Sequence, residues 1–157
     1  MDLAVQQGMR RALIVAALLA CVATACSEKS TPPAPTPINV TGTWAGNLTV
    51  LNNPVQMTWT LTQSDATNVT GPVFLGLASG TVLLNGFLTG TLSGSTLTYT
   101  ISVGPGGVPT QPNCVGQVGG TMAVSIAAVS TMTGSSSVTG SNCTPPFPGG
   151  TITLTKR

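Results

Sequence analysis

The chain has 157 residues, of which only 5% are charged and none is histidine, and its formal net charge is +2. This composition does not favour a nucleic-acid surface, which needs clustered Lys and Arg, or a metal centre built from His, Cys, Asp and Glu. It also leaves few groups for acid–base or nucleophilic catalysis. We therefore expect no catalytic site, no metal site, no cofactor and no enzymatic activity.

The N-terminal segment has the features of a signal peptide. Arg10 and Arg11 form its positively charged region, and the run 12–25 that follows is predominantly apolar. That run is shorter than the about 20 residues that a membrane-spanning helix requires. We expect residues 1–25 to be removed as a signal peptide on export.

The sequence VATAC at 22–26 resembles the lipobox of bacterial lipoproteins. The resemblance implies that Cys26 is lipidated and anchors the protein to a membrane. It also implies sorting to the outer membrane, facing the periplasm or the cell surface, because Ser27 replaces the aspartate that often retains lipoproteins at the inner membrane. The alternatives are ordinary cleavage after Ala25, within an Ala-x-Ala motif, and lipidation at Cys21.

Residues 26–37 are expected to form the lipidated cysteine and a proline-rich tether. The prolines lie at 32, 33, 35 and 37, and the segment has too few apolar residues to form a core. Such a segment favours an extended conformation that rises about 3.1 Å per residue. The tether is therefore long enough to hold the following domain about 30 Å from the lipid when it is fully extended.

Residues 38–157 are expected to form one domain, because no second change of composition occurs and the length suits a single core. Apolar and hydroxyl residues alternate in this region, for example at 55–61 and 97–103. A period of two predicts strands with one apolar face. With Gly, Asn and Pro as breakers, the strands are expected at 40–50, 55–63, 67–74, 80–86, 87–92, 96–103, 115–127 and 130–140, with 150–156 as a possible ninth.

The pattern predicts an all-β fold, namely a small antiparallel up-and-down β-barrel of about eight strands, with a β-sandwich as the alternative. Closure is favoured because an uncharged open edge invites aggregation, and Asp65 is the sole charged residue between Thr31 and Thr155. We expect Asp65 to be a turn residue. A transmembrane barrel is less favoured, since aromatic residues are only 4% of the chain.

The motif Gly42-Thr43-Trp44 resembles the G-x-W that begins the first strand of lipocalins and of avidin-like barrels. In that superfamily a basic residue near the last strand often packs over the tryptophan. The resemblance implies that Lys156 or Arg157 does so here, through a cation–π contact. The chain departs from biotin-binding barrels, which use several tryptophans in the pocket, and from lipocalins, which have a helix after the barrel.

Cysteine parity predicts one disulfide. The chain has four cysteines. If Cys21 leaves with the signal peptide and Cys26 carries the lipid, then Cys114 and Cys143 remain as a pair. An exported protein with an even number of remaining cysteines favours their pairing. The alternative is two reduced thiols.

Three aromatic residues, Trp44, Trp59 and Tyr99, lie on the apolar faces of their strands. They are expected either to pack in the core or to floor a cavity for a small apolar ligand or lipid. Two functions therefore remain open. The first is a membrane-anchored binding module. The second is a structural or interaction lipoprotein that has a filled core and acts through its outer surface. The sequence does not identify its protein partner.

Overall fold

The computed structural model describes residues 37–50, 53–144 and 149–157. The expected signal peptide 1–25, the lipidation site Cys26 and the tether before Pro37 lie outside the described residues. Within the described part of the chain, no helix is long and apolar enough to cross a membrane.

The described residues form a closed barrel of eight antiparallel strands, in which sequential strands pair and β1 also pairs with β8. The all-β fold and the up-and-down barrel are thereby confirmed, and the β-sandwich is excluded. The strands are β1 Gly42–Val50, β2 Asn53–Gln63, β3 Asn68–Leu77, β4 Val82–Ser93, β5 Thr96–Val103, β6 Gly116–Ser125, β7 Thr131–Ser141 and β8 Gly150–Lys156.

The predicted break between residues 86 and 87 is wrong, because β4 continues without interruption from Val82 to Ser93. Gly86 is an interior position of this strand and pairs with Val73 of β3. A Cβ at Gly86 would lie 2.8 Å from Cγ2 of Ile101. The glycine therefore lets two strands approach closely rather than ending one, and the segment 150–156 becomes the eighth strand instead of a ninth.

Neighbouring strands run in opposite directions, so the turns and loops lie alternately at the two ends of the barrel. We call the end at which β1 begins the lower end and the opposite one the upper end. The upper end carries the β3–β4 turn at 78–81 and the β5–β6 loop at 104–115. The lower end carries residues 37–41, which lead into β1, and the turns at 64–67, 94–95 and 126–130.

Large side chains fill the lower half of the barrel. They occupy alternate positions of the strands, as the period of two predicts, and therefore share its inner face. The largest fully buried ones are Trp44, Trp59, Leu61, Leu88, Leu97, Met122, Met132 and Leu154.

A disulfide joins Cys114 and Cys143, as the cysteine parity predicts, with their Cα atoms 4.9 Å apart. It connects the end of the β5–β6 loop to the segment that follows β7, at the upper end of the barrel. Hydrogen bonds reinforce this link, since Val115 N–H donates to Oδ1 of Asn142 at 2.7 Å and Asn142 N–H donates to the Val115 carbonyl at 3.2 Å. The disulfide thus stiffens one rim of the barrel.

Candidate functional site

A cavity of about 410 Å³ occupies the upper half of the barrel. All eight strands contribute to its wall, so the space lies inside the barrel and not on its outer surface. Val73, Ile101 and Ile152 form its floor, because they are the lining residues that are buried. The wall consists of Asn47, Leu48, Thr49, Val50, Met57, Val73, Leu75, Leu84, Ile101, Val118, Ser136, Gly149, Gly150, Thr151 and Ile152.

The upper half is hollow because two adjacent strands, β7 and β8, contribute small residues to it. β7 contributes Ser136 to the wall and β8 contributes Gly150, where the opposite strands contribute Leu75 and Leu84. The interior of an eight-stranded barrel is just wide enough either to be filled by side chains or to hold one small ligand. Small residues on two adjacent strands therefore leave room for a ligand.

The cavity reaches the seam between β1 and β8. These strands pair only at Trp44–Lys156 and Ala45–Thr155, near the lower end. Above that level, the consecutive residues 47–50 of β1 and 149–152 around the start of β8 all line the cavity. A strand that closes a barrel turns only every second side chain inward, so these consecutive residues show that strand edges form part of the wall. Among the described residues, the seam is therefore the part of the wall where strand edges border the cavity.

The polarity of the wall changes from the floor to the seam. Apolar side chains, such as Leu75, Leu84 and Val118, cover the part away from the seam, whereas at the seam the exposed residues Asn47, Thr49 and Thr151 border the cavity along the strand edges. No residue of the wall is charged. An apolar cavity with a few polar groups at one side is typical of a site for a small ligand with a limited polar part.

The three aromatic residues singled out from the sequence lie together below the cavity, and none of them lines it. Trp44 pairs with Trp59 across β1 and β2, and the Trp59 and Tyr99 rings contact each other edge to face with centroids 5.0 Å apart. Trp44 and Trp59 have no exposed surface. These residues pack in the core, and their assignment as ligand contacts stays a prediction that the cavity itself does not support.

Two of these three aromatic side chains have a hydrogen-bond partner for their polar atom. Nε1 of Trp44 donates a hydrogen bond to the Val40 carbonyl at 2.7 Å, and the Tyr99 hydroxyl donates to the Ser135 carbonyl at 3.3 Å. Nε1 of Trp59 is buried without a hydrogen-bond partner among the described residues. Burial raises the pKa of Tyr99 to about 12, because the phenolate would lose its hydration.

Of the two candidate cations, Lys156 packs over Trp44, with Nζ 5.5 Å from the ring centroid. The expected cation–π contact is thereby confirmed for Lys156. The same ammonium group donates a hydrogen bond to the Asn39 carbonyl at 3.4 Å. It therefore holds the segment before β1 against the end of β8.

Asp65 is a turn residue, as expected. Its carboxylate accepts hydrogen bonds from the N–H groups of Asn68 and Thr67, each at 2.7 Å, and from both of their side chains. These bonds, led by that of the Asn68 N–H, hold the pKa of Asp65 well below its usual range. The carboxylate is thus satisfied within the β2–β3 turn.

No group of three or more His, Cys, Asp or Glu side chains lies together in the part of the chain that the structure describes. The comparisons with known proteins give no further guide, since no family model, no curated protein and no solved structure matches this chain significantly. The resemblance to lipocalins and avidin-like barrels therefore stays a prediction.

The residues that do line the cavity were not predicted from the sequence. Alternation indicates that Leu48 and Val118 face inward, but it indicates the same for the filled lower half, and Leu75 and Leu84 lie in runs of consecutive apolar residues where alternation does not assign a face. The available signal was the position of small residues, such as Ser136, in the last two strands. Its meaning depends on which residues face them across the barrel, and that follows only from strand register and closure.

Proposed function

We propose that this chain is a lipoprotein, anchored at the outer membrane through Cys26, whose barrel binds a small, uncharged, apolar ligand. The cavity of about 410 Å³ carries this proposal, because it is lined mainly by apolar side chains and lies within the size range of ligand sites, about 300–1,000 Å³. The lipid anchor rests on the resemblance of the sequence at 22–26 to a lipobox.

The cavity constrains the size and polarity of the ligand. Its volume equals that of about 14 water molecules at roughly 30 Å³ each, which corresponds to a compact molecule or a short chain. A charged group inside would lose its hydration without a compensating partner, since no wall residue is charged. Any polar group of the ligand is therefore expected at the seam, beside the edges of β1 and β8.

Filling the cavity tests ligand binding. The probe is N-phenyl-1-naphthylamine, an uncharged fluorophore whose emission rises in apolar surroundings. Leu84→Trp places a large ring in the cavity, and we expect it to weaken probe binding at least tenfold. Asn85→Trp is the matched control, because the exposed Asn85 is the next residue of β4 and faces outward. We expect its affinity for the probe to equal that of the wild type.

A second filling variant keeps the test valid if Leu84→Trp does not fold. Val118→Phe fills the same space from β6, and near-UV circular dichroism of each variant reports whether the core is intact. No probe binding by the wild type, or equal loss in the Asn85→Trp control, would contradict a ligand site inside the barrel.

The lipid anchor is tested by the mass of the protein purified from bacterial membranes. Lipidation adds the mass of the acyl chains to a chain that begins at Cys26, and Cys26→Ser is expected to abolish both the added mass and membrane attachment. A chain that begins at Cys26 without added mass would show ordinary cleavage after Ala25 instead.

The outer face favours a second function, in which the barrel associates with other proteins. Hydroxyl and amide side chains form continuous rows across paired strands, and the longest spans β3 to β8. A surface with so little charge favours association. Light scattering across a range of concentrations tests self-association of this kind. The residues of the longest row are Asn68, Thr91, Thr98, Thr121, Ser135 and Thr151.

A further inference from the structure

The β6–β7 turn at the lower end exposes consecutive apolar residues. Ile126 is 49% exposed and Val129 is 64% exposed, and Ala127 and Ala128 between them are also exposed. Turns are usually built from Gly, Pro, Asn, Asp and Ser, which tolerate both solvent and the required backbone angles. An apolar tip at this position is therefore a candidate interaction site.

This tip adjoins the end of β8 and the start of β1. The Lys156 N–H donates a hydrogen bond to the Ser130 carbonyl at 3.0 Å, and the Arg157 N–H donates to the Thr43 carbonyl at 2.9 Å. Residues 37–41 enter the barrel at the same end. The apolar tip, two cationic residues and the point where the N-terminal segment joins the domain thus form one continuous surface.

All charged residues in the described part of the chain lie at this lower end, and they are Asp65, Lys156 and Arg157. The carboxylate of Asp65 is already occupied by hydrogen bonds from Thr67 and Asn68 on the β2–β3 turn. The backbone of Lys156 adjoins the tip at Ser130, and its ammonium group lies at the same end, over Trp44 and at the Asn39 carbonyl, next in sequence to the exposed Arg157. An apolar tip beside cations matches the interface of an anionic bilayer, where apolar groups enter the acyl boundary and cations lie near the phosphates.

We infer that the lower end of the barrel docks on an anionic lipid bilayer, with Ile126 and Val129 inserted at the interface and Lys156 and Arg157 at the phosphate level. The occupant is a bilayer because the segment before residue 37, with the expected lipid at Cys26, joins the domain at this end. The inference rests on the proposed anchor for the proximity of the bilayer, and it does not depend on ligand binding. In this orientation the cavity at the upper end faces away from the membrane.

Quenching by brominated lipids tests the orientation. The full chain is purified from membranes and reconstituted into vesicles of phosphatidylethanolamine and phosphatidylglycerol that carry bromine on the acyl chains. In Val129→Trp the new indole is expected to lose at least half of its emission. Val115→Trp is the matched control, since Val115 is 40% exposed but lies at the upper end, and we expect its emission to be unchanged.

The native tryptophans provide the baseline, because Trp44 and Trp59 have no exposed surface. Replacing phosphatidylglycerol by phosphatidylcholine is expected to reduce the quenching of Val129→Trp, and Arg157→Gln is expected to have the same effect in anionic vesicles. Quenching that is equal at positions 129 and 115, or absent at 129, would overturn the inference. A concentration-dependent change in Val129→Trp emission without vesicles would also overturn it, since a second copy of the chain would then cover the tip.

The mass of the same sample separates failure of docking from failure of the anchor. A lipidated Cys26 with no quenching at position 129 would leave the anchor intact and overturn docking. An unmodified Cys26 with strong quenching at position 129 would support docking while contradicting the anchor.

Discussion

Gly42 and Lys156 face each other where the barrel closes, and a Cβ on Gly42 would lie 3.0 Å from Cε of Lys156. Gly42 also has a φ of +129°, a backbone conformation that residues with a side chain rarely adopt. The absence of a side chain thus leaves a path for the lysine stem to reach the Trp44 ring. The G-x-W motif therefore supplies both the ring of Trp44 and, at Gly42, the space through which the side chain of Lys156 reaches that ring.

Gly42→Ala is expected to destabilise the barrel by about 1–3 kcal/mol, because the added methyl group both strains the backbone and displaces Lys156. Urea unfolding measures the change in the free energy of unfolding. Gly140→Ala is the control, since a Cβ there meets no atom within 4 Å and the backbone angle is ordinary. Equal effects of the two substitutions would contradict a specific role for Gly42.

Lys156→Met is expected to lower the free energy of unfolding by about 0.5–1 kcal/mol, the usual size of an exposed cation–π contact. Methionine keeps most of the aliphatic stem, so the loss reports mainly on the charge and on its hydrogen bond to Asn39. Arg157→Met removes the neighbouring cation and is expected to change stability much less. A similar loss for both would indicate a general charge effect.

Gly120→Ala is expected to cost about 1–3 kcal/mol, because a methyl group there would overlap the Ser135 carbonyl and crowd the Tyr99 hydroxyl. Gly119→Ala is the matched control on the same strand, where the nearest atom to an added Cβ is the Tyr99 carbonyl oxygen at an ordinary 3.4 Å. Thermal unfolding of both variants measures the difference. If Gly119→Ala were the more destabilising, the strand register around Tyr99 would have to differ.

Replacing Cys114 and Cys143 together by alanine is expected to lower stability by about 3–4 kcal/mol, because the crosslink limits the unfolded chain over a separation of 29 residues. Chemical reduction of the wild type is expected to have a similar effect. Hydrogen exchange is expected to rise most in the upper rim, around Val115 and Asn142. Unchanged stability after reduction would contradict a stabilising role for the disulfide.

The lowered pKa of Asp65 predicts an acid-dependent loss of stability. The folded pKa lies below the unfolded value of 3.8, so the stabilisation is fully present above about pH 4 and is lost as the pH falls through the folded pKa. Asp65→Asn removes this dependence, and we expect its stability to vary less than that of the wild type below pH 4. Chemical unfolding of both proteins at pH 7 and at pH 3 measures the difference, and parallel losses would contradict the assignment.

Most strands of this fold and its disulfide could be predicted from local sequence patterns. Alternation of apolar and hydroxyl residues placed most strands within a few residues, because a period of two encodes which face of a strand is buried. The scarcity of charge favoured closure, and the cysteine count identified the Cys114–Cys143 pair. The error at Gly86 arose because a glycine that ends a strand and one that permits close approach look alike in a linear sequence.

The division of the barrel into a filled and a hollow half depends on contacts between residues that are distant in the sequence. Trp59 and Leu48 both alternate with polar neighbours, which predicts that they face inward, yet Trp59 packs in the lower core and Leu48 lines the cavity. The difference depends on the size of the residues that face each position across the barrel, such as Ser136 and Gly150. Strand register and barrel closure bring these residues together from distant parts of the chain. A local sequence pattern does not predict which residues face each other across the barrel.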